Sequence, residues 1–377
     1  MDFRPTAEQK SLQEEMAALA ARLPDTAAGD QFPAQSWRLC GEARLHGLPV
    51  PREHGGREAD LLTTALALEA FAAACRDEGL AFSVCAHMQT CALPIARFGS
   101  NEQKRQYLPD LCCGALVGGN ATTEPEAGSD AFSMQTTAVR DGEGYRLQGH
   151  KCFVTNGPVA DLLVVYAVTN PKYRQFGGIS VFLVETSREG VHRGAPMDKI
   201  GLRTAPWCDV RLDCCWVPAA HRLGEEGAGT EIFSRAMEWE RLLIPMIAVG
   251  RMADTLERCL EHCRVRHQFG RPLGKHQAVA QKLVDMKVDL EISRLLLYRA
   301  AWLQDQGEKA LLETALGKLV ATESRLRSCL NAIQVHGARG CIPDFGIERE
   351  LRNAVPGTIS SGTSEVQRMI IARFLGL

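Results

Sequence analysis

The constraint that most limits how this chain can fold is a change of texture near residues 115 and 225. Between them lie "GEGYRLQGHKCFVTNG", "DLLVVYAVT", "GGISVFLVE" and "CDVRLDCCWVP", short β-branched or aromatic runs divided by Gly, Pro, Asn and Asp. Such runs predict an antiparallel β domain. On either side apolar residues recur at helical spacing. Thr6 and Gln9 make a capping-box pattern ahead of "SLQEEMAALAARL", and the Ala- and Leu-rich stretch that begins at Asp60 carries too few charges to be all surface. From Thr230 helices return. The first is long, with Pro245 expected to kink or interrupt it; the next carries Val279, Leu283, Met286, Leu290 and Leu297 on one face. A third covers roughly 309–335, and the last starts at Ser364, where Ser364 and Gln367 predict a second capping box. The whole reads as α+β: an N-terminal helical domain over 1–115, a central antiparallel β domain over 116–225 and a C-terminal four-helix bundle over 226–377.

Charge excludes one class of partner. Forty-three basic residues against forty-five acidic ones leave a formal net charge of -2, which argues against nucleic acid. The N-terminus has no apolar signal core, and the run "LLVVYAV" at 162–168 is too short to span a bilayer, so a soluble, unprocessed, cytoplasmic protein without a membrane partner is expected. Fourteen scattered cysteines with no C-x-x-C pair predict reduced thiols. His262, His267 and His276 are not spaced as a metal face. Neither a Rossmann G-x-G-x-x-G after a strand nor a P-loop is present.

Four loops carry the chemistry. "GNATTEPEAGSD" (119–130) sets small hydroxyl residues at the helical-to-β junction, where they can grip a polar heterocycle. "RHQFGRPLGKHQ" (266–277) places a cation, an amide and an aromatic between two long helices, and "QVHGARGCIPDFG" (334–346) follows a helix with glycines. "TISSGTSEVQR" (358–368) runs into the last helix, whose N-terminus suits a phosphate or a developing oxyanion. No acid stands beside Ser360, Ser361 and Gly362.

In this order, with "KCFVTNG", these motifs resemble those of the acyl-CoA dehydrogenases over essentially the whole chain. The resemblance implies a helical, a β and a four-helix domain that hold FAD without a Rossmann fold. It implies that Thr122, Thr123 and Ser129 contact flavin or substrate and that Phe153 and Thr155 lie beside the isoalloxazine. Arg266, Gln268, Phe269, Gln334 and Gly337 would reach the FAD of a neighbouring subunit, and Thr363 and Glu365 its diphosphate and adenosine end. Ala338 stands where a second glycine is usual. A shared site implies at least a dimer, and the family is commonly tetrameric.

The departure is at Ser361, where most members carry the glutamate that removes the substrate α-proton. A serine hydroxyl is too weak a base near neutral pH. The resemblance to members such as isovaleryl-CoA dehydrogenase points instead to Glu240 in "AMEWERLLI", with Arg241 as a substrate contact. Glu238 and Glu240 point about 200° apart on a helix, so only one can face the flavin. A carboxylate among Trp239, Leu242 and Leu243 would have a raised pKa. The Ser361 and Gly362 backbone can still serve the thioester carbonyl. The nearest likeness is to the carrier-protein branch typified by prolyl-carrier-protein dehydrogenases, with Asn120 where many CoA-specific relatives have an aromatic. It implies FAD-dependent α,β-oxidation of an aminoacyl or short acyl thioester on the phosphopantetheine arm of an acyl or peptidyl carrier protein, in natural-product biosynthesis. The alternatives are oxidation of a short or branched acyl-CoA thioester, and a flavin monooxygenase or silent flavoprotein on the same fold.

Overall fold

Residues 4–377 are described by a computed structural model. Six helices come first: α1 (Ala7–Arg22), α2 (Ala34–Glu42), α3 (Leu61–Ala74), α4 (Glu78–His87), α5 (Leu93–Phe98) and α6 (Asn101–Cys112). The capping box at α1 forms as expected: the Gln9 amide donates to Thr6 Oγ1 at 3.2 Å and the Thr6 amide to Gln9 Oε1 at 2.9 Å. The stretch Glu78–Phe98, joined through a wide π turn at Met88–Ala92, is long and apolar enough to cross a membrane, but its apolar window is buried inside the protein.

Eight strands follow: β1 (Gly118–Ala121), β2 (Thr137–Asp141), β3 (Gly144–Thr155), β4 (Leu162–Val168), β5 (Ile179–Glu185), β6 (Val191–Arg193), β7 (Trp207–Pro218) and β8 (Arg222–Leu223). They form one sheet in the order β6-β7-β3-β2-β4-β5-β8, with β1 added on β4. Pairing is antiparallel except that β1 and β2 run parallel to β4. The chain leaves β1, makes the β2–β3 hairpin and only then returns as β4, so these pairs need no tight turn. Alternation along β4 builds two cores. Leu162, Val164 and Tyr166 face the helices beside Tyr107 and Ile232, whereas Leu163, Val165 and Ala167 pack with Phe182 and Val210 on the other side of the sheet. A strand covered on both faces has no polar face to show, hence its continuous apolar sequence.

Helix α7 (Gly229–Val265) then leads through the small hairpin β9 (His267–Gln268) and β10 (Arg271–Pro272) to α8 (Gln277–Asp305), α9 (Leu311–His336), α10 (Ile347–Ala354) and α11 (Ser364–Phe374). Pro245 does not interrupt α7, which continues for 37 residues. Burial of Leu242, Leu243, Met246 and Ile247 in the largest core cluster holds the helix through the proline. The cost stays local: proline has no N–H for the Arg241 carbonyl, so the turn carrying Glu240 and Arg241 lacks one backbone bond. Among the described residues all fourteen cysteines are free, and most are buried.

An ionic clamp ties the helices together. Glu350 on α10 accepts from Arg251 Nη2 on α7 at 2.6 Å and also from Arg325 on α9. Arg325 reaches Glu78 on α4 at 3.2 Å, and Arg251 bonds the Ala72 and Cys75 carbonyls at the C-terminal end of α3 at 3.2 and 2.9 Å.

Candidate active site

Glu240 and Arg241, neighbours on α7, both engage one residue of the loop before α11. Ser361 Oγ donates to Glu240 Oε1 at 2.8 Å, and Arg241 Nε donates to the Ser361 carbonyl at 3.0 Å. Gln367, one turn into α11, donates to the Ser361 and Gly362 carbonyls at 3.3 and 2.9 Å. The loop needs this bracing because Ser361 has φ +58°, a left-handed conformation that costs an L-residue about 1–2 kcal/mol. Gly362 follows at φ +84°, where an added Cβ would lie 3.0 Å from Gln367 Nε2 and 3.2 Å from Val366 Cγ1. The expected capping box is therefore corrected. Thr363, not Ser364, caps α11 by accepting from the Val366 amide at 3.3 Å, and Gln367 serves the loop instead of the cap.

Glu240 is half-buried, with Trp239, Leu242 and Leu243 buried around it on α7. Burial raises its pKa above the ordinary glutamate value, opposed by the Ser361 hydrogen bond and by the charges of Arg241 and Lys318. A carboxylate whose pKa is raised holds a proton more readily than an exposed glutamate does. Glu238 serves elsewhere, paired with Arg235 at 2.9 Å.

The 119–130 loop is pinned from below. Buried Lys151 on β3 bonds Glu124 at 2.8 Å and the Thr122 carbonyl at 3.1 Å, while Glu124 accepts from the Gln135 and Thr136 amides at 2.6 and 3.0 Å. This holds buried Thr122 and half-buried Thr123 and Asn120, with Thr122 Oγ1 donating to Asn120 Oδ1 at 3.0 Å; Ser129 is exposed. A bulge in β3 between Lys151 and Val154 turns Phe153 outwards at φ +55°, 57% exposed, beside half-buried Thr155. Among the described residues nine non-glycine residues have positive φ, and Phe153, Asn156, Phe269 and Ser361 of these fall in the motifs read from the sequence. Strain of this kind concentrates where a ligand dictates the backbone.

The remaining predicted contacts form a separate, exposed group within one chain. Arg266, Gln268, Gln334 and Gly337 face solvent, and Phe269 is 94% exposed. Thr363 and Glu365 line a cleft with Glu323 and Arg327 of α9. Sequence reasoning missed Lys318. It is 1% exposed and its Nζ has no hydrogen-bond partner; burial, then the nearby charge of Arg241, lowers its pKa to about 8. The signal was there: Thr314, Ala315, Lys318, Ala321, Thr322 and Arg325 make one buried helical stripe containing two cations.

Comparison with known proteins decides the family. The N-terminal, middle and C-terminal domains of acyl-CoA dehydrogenase match residues 6–115, 119–215 and 227–376. The chain belongs to the acyl-CoA dehydrogenase family. An L-prolyl-[peptidyl-carrier protein] dehydrogenase of Pseudomonas fluorescens is 46% identical over 92% of this chain and 91% of its own. The crystal structure of the prolyl acyl carrier protein oxidase AnaB is 42% identical, with TM-score 0.97 over 99% of this chain and 100% of its own. PigA, solved with FAD and proline, is 39% identical, with TM-score 0.98 over the full length of both chains.

Proposed function

We propose that this acyl-CoA dehydrogenase family member is an FAD-dependent oxidoreductase that introduces an α,β double bond into a prolyl-like aminoacyl thioester carried by a peptidyl or acyl carrier protein, as a step of natural-product biosynthesis in the cytoplasm. The observation that carries this reading is the Glu240–Ser361 pair: the loop position beside the base is a hydroxyl, and the carboxylate comes from α7.

The residues fit FAD. Buried Ser360 Oγ and Ser364 Oγ lack partners at the start of α11, where hydroxyl donors and free helix amides favour an anion. The out-turned Phe153 and Thr155, with Thr122 and Thr123, would hold the ring system, and Thr363 and Glu365 the diphosphate and adenosine end. FAD, when bound, supplies a two-electron hydride acceptor. Glu240 removes the α-proton: its oxygen gains the proton, the C–H pair becomes the new double bond, and the β-hydride leaves with its own pair. The Ser361 amide donates to the thioester oxygen as charge builds there. Arg241 holds the Ser361 carbonyl and so fixes the Ser361–Gly362 peptide that follows.

Exposed Arg266, Gln268, Phe269, Gln334 and Gly337 favour a homo-oligomer in which one protomer completes its partner's FAD site. Val284, Val288, Ile292 and Leu295 form an apolar stripe on α8, each 45% exposed or more, which supplies a face for assembly.

The test is anaerobic flavin bleaching with prolyl-, other aminoacyl- and acyl-carrier proteins beside their CoA esters. Fast bleaching by the prolyl-carrier thioester alone is expected. Equal or faster reduction by a short or branched acyl-CoA would replace this substrate reading.

A further inference from the structure

The segment joining β4 to β5 ends in a tip, residues 172–176, that is exposed throughout. Tyr173 is 55% and Phe176 82% exposed. Beside these rings stand Lys172 and Arg174, whose side chains make no ion pair or hydrogen bond among the described residues. Arg174 adopts φ +41° to hold the tip's shape. Tyrosine, phenylalanine and arginine together are the composition of an interface rather than of an ordinary loop.

The tip is braced on the helix that carries the base. Thr230 Oγ1, in the first turn of α7, donates to the Gln175 carbonyl at 2.8 Å, and Gly227 packs so closely that an added Cβ would meet the Gly177 oxygen at 2.5 Å. Glu240 lies ten residues beyond Thr230, about 15 Å along the helix. An aromatic ladder accompanies this course: Phe132 to Phe233 with centroids 5.2 Å apart, then Phe233 to Tyr166 at 5.8 Å, and Tyr166 lies within the field of Glu240. The charges around the tip leave it cationic. The tip itself holds two cations and no acid; Glu226 is engaged by Arg140 and Arg222, Glu225 by Arg222, and Glu238 by Arg235, while exposed Glu231 in the first turn of α7 stands outside an ion pair among the described residues.

We propose that Lys172, Tyr173, Arg174 and Phe176 form the docking point for the folded body of the carrier protein. Its acidic surface around the phosphopantetheinylated serine meets Lys172 and Arg174, and its apolar rim meets the two rings. The arm then follows α7 to Glu240. This rests on the carrier-protein reading given above.

The test uses the full-length, FAD-loaded enzyme and three donors of one prolyl group: the carrier protein, pantetheine alone and CoA. In Lys172→Glu/Arg174→Glu, kcat/KM for the carrier thioester falls about tenfold and loses its salt dependence, because steering by charge acts on association. Its kcat and the pantetheine rate stay unchanged. Phe176→Ala gives a smaller fall on the carrier arm only. The proposal is overturned if the carrier rate is unchanged, if the pantetheine rate falls equally, or if the CoA ester alone is affected, which would make the tip a nucleotide-phosphate contact. A wild-type enzyme that oxidises prolyl-pantetheine but no carrier thioester would overturn the carrier reading and the docking point together, whereas an unaffected variant overturns only the docking point.

Discussion

Glu350 and Glu240 are both carboxylates set among helices, and the fold treats them in opposite ways. Burial alone would raise both. At Glu350 the charges of Arg251 and Arg325 outweigh burial and hold the pKa below the ordinary glutamate range. At Glu240 burial prevails over one hydroxyl and two cations that do not pair with it directly, and the pKa rises. A fully compensated carboxylate is a fixed charge that joins four helices. An under-compensated one can exchange a proton. The difference separates stability from chemistry within one helical domain, and substitution at each site should expose it.

The largest effect belongs to Glu350→Ala. It leaves Arg251 and Arg325 buried and facing each other, and about 3–5 kcal/mol of stability should be lost in denaturant unfolding. Because the folded pKa of Glu350 is lowered, its contribution is complete above the unfolded carboxylate value and disappears as pH falls through the folded one. Wild-type stability should therefore decline in acid more steeply than that of Glu350→Gln.

Glu240→Gln should do the reverse. Its folded pKa is raised, so the ionised carboxylate costs stability as pH rises, and the variant should unfold no more easily than wild type at pH 8. Flavin reduction by a thioester should fall about 10²- to 10⁴-fold with FAD still bound. A wild-type rate in that variant would remove Glu240 from the reaction. Ser361→Ala is milder. Loss of the hydroxyl raises the Glu240 pKa further, so the acidic limb of the rate profile moves to higher pH, by about one unit for the worth of a hydrogen bond to a charged group. Above both acidic limbs the two profiles should meet.

Much of this comparison was legible before any coordinates. The 3.6-residue period separates Glu240 from Glu238, and the resemblance to the acyl-CoA dehydrogenases pointed from the hydroxyl at 361 to Glu240 as the proposed base. Helix–β–helix order followed from side-chain period and turn residues. What escaped was tertiary. Pro245 looked like a break because local chemistry disfavours it, but packing on both sides outweighs one lost backbone bond. Thr363 and Ser364 are equivalent caps on paper; the demand of the Ser361 and Gly362 carbonyls for Gln367 decides between them. Pairing of Glu124 with Lys151 across 27 residues cannot be read from spacing at all.

Lys318 offers the smallest and most discriminating test, because it shares features of both sites: buried like Glu350, uncompensated like Glu240. Its charge lowers the Glu240 pKa from a distance, so Lys318→Met should shift the acidic limb upward by less than Ser361→Ala does. Its effect on stability has the opposite sign to that of Glu350→Ala. A lysine whose pKa falls to about 8 on folding is charged in both states at pH 7, and the buried, unpartnered ammonium costs on the order of 1–3 kcal/mol. Between pH 8 and the unfolded lysine value the folded state sheds its proton first, so stability rises with pH and the penalty fades. Lys318→Met should thus stabilise the protein at pH 7 and less at pH 10, by chemical denaturation, while slowing flavin reduction on the acidic limb. Destabilisation at pH 7 would mean that Lys318 is held by partners that compensate its charge, and that it belongs with Glu350 rather than with Glu240.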